Sequence, residues 1–185
     1  MTVEEPDERG WMLTYTGKRF YPLAPRSRDV DIIDIAHHLS NICRYTGACS
    51  THYSVAQHSV LVSRMAPEHP LWGLLHDASE AYLCDMARPI KHTERYTHYR
   101  EDENRLLSVI LPVFGVHSPA FMPSDVEQAD YLMCIVEGRQ LMPQDPGAYW
   151  TRNLDRVKDL PPMEIWDQKR SENEFLDRFE KIYGK

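Results

Sequence analysis

Long apolar runs, paired cysteine motifs and basic stripes are all missing from this chain. None of its 185 residues falls in an apolar run long enough to span a bilayer, so no membrane partner is expected. The four cysteines (Cys43, Cys49, Cys84, Cys134) show no C-x-x-C spacing and read as reduced, mostly buried thiols of a reducing compartment. The formal charge of −7, with no lysine- or arginine-rich stripe to track phosphates, excludes a general binder of long nucleic acid. It leaves room for a small phosphorylated ligand held by a few cations and a metal. The opening MTVEEPDERG is acidic and has no apolar centre, unlike a signal peptide, so a cytoplasmic location is expected. Repeats and low-complexity linkers are absent too, which favours one domain.

What is present is a helical pattern. Apolar residues make up 42% and charged residues 26%, as in a globular protein. Leu13 to Tyr21 alternates β-formers around Thr16-Gly17 and predicts a short hairpin ended by Pro22 and Pro25. From Asp31 to Cys43, Ile32, Ile35, Ala36, Leu39 and Ile42 share one helical face. Ser54 and Gln57 have capping-box spacing and open a helix with Val55, Leu61, Val62 and Met65 on its apolar side, stopped by Pro67. Pro70 opens the next, with Leu71 to Leu83 expected as one continuous helix. Glu94 to Leu111 is a fourth; a capping box at Ser124 and Glu127 opens a fifth reaching Leu141; Lys169 to Tyr183 is the last. Six helices with few strand signals predict an all-α bundle, its core about 31–141, flanked by the hairpin 13–21 and the C-terminal helix about 169–183.

The chemistry concentrates in LLHDASEAYLCDMARPIK, Leu74 to Lys91. At about 100° per residue, Leu71, Leu74, Leu75, Ala78 and Tyr82 form a core stripe. His76, Asp77 and Glu80 gather on the other side, above Gly73, where nothing large is expected to fill the space. His58 sits within the apolar stripe of the Ser54 helix, and Asp130 lies among Val126, Met133 and Cys134. A core-facing carboxylate costs several kcal/mol unless a charge or a metal compensates it. Each feature alone has a plainer explanation: a hydrogen-bonded core histidine, an aspartate paired with an arginine, a chance dipeptide. Together they need three such explanations, whereas His58, His76, Asp77 and Asp130 make one mixed nitrogen and oxygen ligand set suited to Mn, Fe, Co, Ni or Zn.

The order His58, His76-Asp77, Asp130 resembles the H…HD…D signature of the HD-domain metal-dependent phosphohydrolases. Gln57-His58-Ser59, the run His76 to Glu80, Asp85, Pro89, Lys91 and Gln128-Ala129-Asp130 are similar to the bacterial 5′-deoxynucleotidases of that superfamily, and phage deoxynucleoside triphosphohydrolases share the layout. The resemblance covers roughly Asp31 to Leu141. It implies one divalent metal on His58, His76, Asp77 and Asp130, with Mg possible alongside the substrate, and Glu80 as acid/base. Asp85 would orient water or bind the sugar 3′-hydroxyl, with Met86, Ala87 and Arg88 lining the substrate. Arg44 and Tyr45 stand where the family has an Arg-Trp pair gripping phosphate and walling off the ribose 2′ position. Gln57 replaces a frequent glutamate and so removes a charge near the metal. Relatives of this type are dimers or hexamers, so a homo-oligomer is expected, with the Glu94 to Leu111 helix and the Trp150 and Trp166 tail as interface candidates.

Arg44 and Lys91 would add positive charge to a phosphate, the alternative being solvated surface cations. His92 and His98 read as surface histidines; His37, His38, His52, His69 and His117 take no role. The leading expectation is hydrolysis of a deoxynucleotide, either dNMP dephosphorylation or dNTP triphosphohydrolysis. The alternatives are a cyclic-nucleotide phosphodiesterase, which commonly needs two metals, and a non-catalytic nucleotide-binding module, which should have lost a ligand or Glu80.

Overall fold

Two residues of strand on each side of the Thr16-Gly17 turn form the only sheet in the computed structural model, which describes residues 10–116 and 121–184. β1 (Met12–Leu13) pairs antiparallel with β2 (Arg19–Phe20), Met12 opposite Phe20. So short a hairpin has little stability of its own. It is tied to α1 (Ile32–Asn41) by two residues one turn apart. Asp34 accepts from the Thr16 amide (2.7 Å) and hydroxyl (2.9 Å), and His38 Nε2 accepts from the Tyr15 amide at 3.2 Å. His38 Nδ1 donates to the Ala81 carbonyl at 2.8 Å, which fixes its tautomer. Phe20 completes the anchor, fully buried and stacked on Tyr82 at 3.8 Å.

The remaining elements are α2 (Val55–Met65), α3 (Pro70–Leu75), α4 (Glu80–Leu83), α5 (Arg88–Lys91), α6 (Thr97–Val113), α7 (Ser124–Leu141), α8 (Tyr149–Arg152) and α9 (Gln168–Tyr183), with single 3₁₀ turns between some of them. The chain is all-α, and the six expected helices correspond to α1, α2, α3, α6, α7 and α9. α2 is central, packed against α1, α3, α7 and α9. It is therefore buried nearly all round rather than on one apolar face: Gln57, His58, Ser59 and Ser63 are as inaccessible as Val55 and Val60. Ile35, Leu39, Leu74, Leu75, Leu106, Ile110, Ile135 and Phe175 fill the core around it. No helix among the described residues is long and apolar enough to cross a membrane.

Several local expectations need correction. Leu71 to Leu83 is not one helix. α3 stops at Leu75, residues 76–79 form turns, and α4 resumes at Glu80. Gly73 does not open space beneath the site, because a Cβ there would lie 3.1 Å from Ser63 Cα; it is where α2 and α3 cross closely. The capping box at Ser124 and Glu127 does not form: Pro123 is the N-cap, Ser124 is already helical, and the Glu127 amide bonds the Pro123 carbonyl at 3.0 Å. Trp166 is no interface residue, being buried within the chain and flanked by Arg64 and Arg170. Trp150 is seated against Gly138, where an added Cβ would meet its ring at 2.4 Å. His117 lies outside the described residues.

At Ser54 the cap does form, its hydroxyl accepting from the Gln57 amide at 3.1 Å. The Gln57 side chain, however, faces away from the metal ligands. Its Nε2 donates to the Glu164 carbonyl (2.6 Å) and its Oε1 accepts from the Trp166 amide (3.0 Å). Gln140 repeats the arrangement on Met163, donating to its carbonyl (2.7 Å) and accepting from its amide (2.7 Å). Two amide side chains thus strap residues 163–166 across α2 and α7, each offering the donor and acceptor that a neighbouring strand would supply. Gln57 is thus a neutral amide engaged with residues 164–166 rather than a charge lost beside the candidate ligands. We predict that Gln57→Glu, which replaces a donor with an acceptor against the Glu164 carbonyl, costs about 1–3 kcal/mol of stability. Urea denaturation checks this; an unchanged midpoint would mean that the strap is held by other contacts.

Candidate metal centre

The four ligand candidates come from three elements, and local backbone geometry aims them. On α2, burial on all sides leaves His58 no route to solvent, and its side chain points toward α7. Past Leu75 the backbone hydrogen bonds shorten from i−4 to i−3: Ala78 to Leu75 (2.9 Å), Glu80 to Asp77 (3.0 Å), Ala81 to Ala78 (3.4 Å) and Tyr82 to Ser79 (3.1 Å). This 3₁₀-like tightening, a frequent mark of functional sites, sets the direction of the His76-Asp77 pair. Asp130 comes from α7, near its middle.

His58 Nε2 and His76 Nε2 are 3.3 Å apart, and Asp77 Oδ2 lies 3.7 Å from the first and 3.2 Å from the second. Ligand atoms of these three residues all fall within 4.8 Å of one another. Asp130 joins from the His58 side, with Oδ1 3.1 Å from His58 Nε2. The other nitrogen of each ring is committed. His76 Nδ1 donates to the Gly73 carbonyl (2.8 Å) and His58 Nδ1 to Glu137 Oε1 (2.6 Å). In the neutral rings the lone pairs are therefore on Nε2, and both face one point bounded by two carboxylates. Electron-rich donors converging in this way fit a cation. They hold the chain's best candidate ligand set for a transition metal, with each imidazole oriented by an outer hydrogen bond.

Electrostatics agree. Burial and the nearby Arg44 oppose a charge on His58, but Glu137 and Asp130 outweigh them and raise its pKa to about 9, so a proton is drawn to the place where a metal would bind. Burial would raise Asp77, yet the His76 and His58 imidazoles and Arg44 hold it far below the usual carboxylate range. Asp130, likewise against burial, is held at about 2 by its hydrogen bond and attraction to His58.

Glu137 is the residue that the sequence reading missed. It is fully buried and accepts from His58, from the Tyr53 hydroxyl (2.9 Å), from the Tyr45 hydroxyl (2.7 Å) and from Arg44 Nε (3.2 Å). These partners overcome burial and keep its pKa at about 2. The available signal was its spacing: Glu137 follows Asp130 by seven residues, two helical turns on the same face.

Arg44 and Tyr45 reach Glu137 from a 3₁₀ turn, Arg44–Gly47, in which Tyr45 and Thr46 both have φ near 55° and Gly47 has φ 79°. Left-handed backbone at two side-chain-bearing residues costs on the order of 1–3 kcal/mol each and tends to mark functional sites. Arg44 is no solvated surface cation: Nη1 lies 3.6 Å from Asp77 Oδ2 and Nη2 3.2 Å from Glu137 Oε2. Tyr45, expected as a wall for the sugar, spends its hydroxyl on Glu137.

Glu80 is buried and its Oε2 has no hydrogen-bond partner; burial, then the charges of Asp77 and Asp85, push its pKa well up. Lys91 Nζ lies 3.8 Å from Glu80 Oε1 and 2.6 Å from Glu103 Oε1, so it too is held within the structure. Asp85, Met86 and Ala87 are half-buried in the irregular stretch between α4 and α5, and Arg88 is exposed at the start of α5. Burial first, then Asp77, raises the Asp85 pKa against Arg44, Lys91 and His58, which places it within electrostatic reach of the centre. His98 is exposed as expected, and so is His92.

No protein-family model matches the chain. It is 41% identical to the uncharacterized protein YfdR of Escherichia coli strain K12 over 138 residues, 74% of this chain and 75% of that protein. It is also 36% identical to the uncharacterized protein RCAP_rcc00048 of Rhodobacter capsulatus over 164 residues, 83% and 82% of the respective chains. The chain belongs to the YfdR family. Both relatives are named without an activity, so the chemistry of the YfdR family rests here on the site itself.

Glu137 orients His58 and carries no ligand atom of the trio, which separates its effect from that of a ligand. Glu137→Gln is expected to weaken Mn or Zn binding by about 10–100-fold, the usual range for loss of an outer hydrogen-bonding partner. Calorimetric metal titration, with circular dichroism to verify folding, checks this. Wild-type affinity in a folded variant would show that His58 needs no such support.

Proposed function

We propose that this chain is an HD-type metal-dependent phosphohydrolase that cleaves deoxynucleotides at a phosphate bond, releasing phosphate from a monophosphate or triphosphate from a dNTP. The observation that carries this reading is the pair of Nε2 atoms 3.3 Å apart, each ring locked by its other nitrogen, with Asp77 and Asp130 alongside. Their order along the chain is that of the HD signature, and the surrounding groups suit the same reaction.

A divalent ion bound by His58, His76, Asp77 and Asp130 would lower the pKa of water and offset phosphate charge. Around that ion the chain's own groups have distinct tasks. Arg44, held by Glu137 and Asp77, presents a guanidinium fork beside the ligands for a phosphate's oxygens. Lys91 adds a second cation on the Glu80 side. Glu80 is buried with one carboxyl oxygen unpartnered, placed one turn after His76, where it can exchange a proton with the attacking water or the departing oxygen. Asp85, Met86, Ala87 and Arg88 would line the nucleoside side, with Tyr45 beside Arg44.

A binuclear phosphodiesterase would need a second set of ligands near the first. Among the described residues the only other group is Glu68, His69 and Asp125, the first two exposed and Asp125 half-buried, with His69 Nδ1 already 2.8 Å from Asp125 Oδ1. The mononuclear reading is therefore preferred. A non-catalytic module has no use for a buried Glu80 with one carboxyl oxygen unpartnered beside four candidate ligands.

Assaying all dNMPs and dNTPs with Mn or Co, and separating phosphate from pyrophosphate and triphosphate, should give release that stops with a chelator and in His76→Ala. Wild type and variant equally inert across the panel would remove the enzyme reading. Glu80→Gln is expected to retain stoichiometric metal by elemental analysis while turnover falls by on the order of a hundredfold. A near-normal rate would take Glu80 out of the mechanism.

A further inference from the structure

α6 supplies no candidate metal ligand, yet it grips the stretch that runs from the end of α4 to just past α5 at both ends. At the start, Tyr99 Oη donates to the Cys84 carbonyl (2.5 Å) and the Leu83 carbonyl (3.3 Å). At the end, Arg100 Nη1 donates to the Lys91 and Thr93 carbonyls. One turn further along α6, Glu103 takes the Lys91 ammonium itself, Oε1 to Nζ 2.6 Å, and Glu103 is buried. The same ammonium lies 3.8 Å from Glu80 Oε1 and 6.0 Å from the centroid of the Tyr99 ring.

We propose that Glu103 is a positioning residue, which holds the Lys91 ammonium beside Glu80 so that it meets the phosphate of the substrate; this rests on the phosphohydrolase reading above. A free lysine side chain has many rotamers, and a cation spread over them contributes little to a bound phosphate. Pairing with a buried carboxylate selects one position before substrate arrives. The arrangement also carries an opposing effect, because Glu103 offsets part of the Lys91 charge. The two effects have opposite signs in experiment. If positioning dominates, removing Glu103 weakens phosphate binding and turnover; if charge offset dominates, removal strengthens them.

The test uses the full chain loaded with Mn: wild type, Glu103→Ala, Glu103→Gln, Lys91→Met and the double variant Glu103→Ala/Lys91→Met. Metal stoichiometry should be unchanged in all five. For the best substrate of the panel, Glu103→Ala should lower kcat/KM by about tenfold or more, with KM raised, as expected for a lost pre-positioned group. Glu103→Gln, which keeps an acceptor oxygen for Nζ, should recover part of that loss. The double variant should be no worse than Lys91→Met alone, since Glu103 acts through Lys91. The proposal is overturned if Glu103→Ala stays within about twofold of wild type, if it binds inorganic phosphate more tightly, or if the two losses add. Should the wild type hydrolyse nothing, the functional reading fails separately. Calorimetric affinity for inorganic phosphate across the same proteins then decides for Glu103: a shared, non-additive loss supports it, and additive losses or no phosphate binding at all overturn it. If Glu103→Ala does not fold, Glu103→Gln carries the comparison, with wild-type values in that variant and in Lys91→Met overturning the proposal.

Discussion

A carboxylate with no exposed surface joins three separate parts of the molecule at Glu137. Leaving such a charge unpaired in the interior costs several kcal/mol, and removing one partner of a buried pair is correspondingly damaging. Glu137 meets the demand with a guanidinium, two phenol hydroxyls and an imidazole, and so stays ionised with a pKa of about 2. Each partner gains a fixed position in return. His58 has its Nδ1–H engaged and its Nε2 turned to Asp130 and His76; Arg44 is held within 3.6 Å of Asp77; Tyr45 ties the left-handed turn to α7. The geometry of the candidate centre thus depends on a residue that contributes no ligand to it.

The surrounding helices make this network possible by burying polar groups on purpose. α2 passes through the middle of the protein with Gln57 and His58 adjacent, one directed to the 163–166 strap and the other to α7. Neighbouring side chains on a helix point about 100° apart, so one helix can serve a structural amide on one side and a candidate metal ligand on the other. The close crossing at Gly73 brings α3 against α2, and the His76 ring hydrogen-bonds the Gly73 carbonyl itself. The small residue expected to leave a void is the one that lets α3, which His76 follows directly, lie close against the His58 helix.

Helical periodicity made the all-α class and the six longer helices legible, because burial of an apolar stripe is a property that sequence records directly. The ligand candidates were legible for the opposite reason: His58 and Asp130 sit where that pattern calls for apolar side chains. Three things were not readable. The break of α3 after Leu75 is marked by no proline or glycine. The failed capping box at Ser124 depends on Pro123 taking the N-cap position, a shift of one residue that spacing alone does not decide. Glu137 and Glu103 look like ordinary polar residues of amphipathic helices, Gln57 reads as a cap partner and a replaced glutamate, and the roles come from distant partners, 79 residues away for His58 and Glu137 and 107 for Gln57 and Glu164.

Charge balance links the metal reading to the substrate reading. Around the two histidines stand Asp77, Asp130 and Glu137, with Asp85 and Glu80 nearby, against two cations, Arg44 and Lys91. Neither cation is unopposed: Arg44 faces Glu137 and Asp77, and Lys91 faces Glu103. On the reading proposed above, this excess of carboxylates over cations would oppose an incoming phosphate until a metal offsets it. His58 carries a raised pKa of about 9 and so favours one compensating positive charge, and His58, His76, Asp77 and Asp130 would hold a divalent ion in its place. On the phosphohydrolase reading proposed above, an ion on these ligands would turn the field around Arg44 and Lys91 toward favouring an anion.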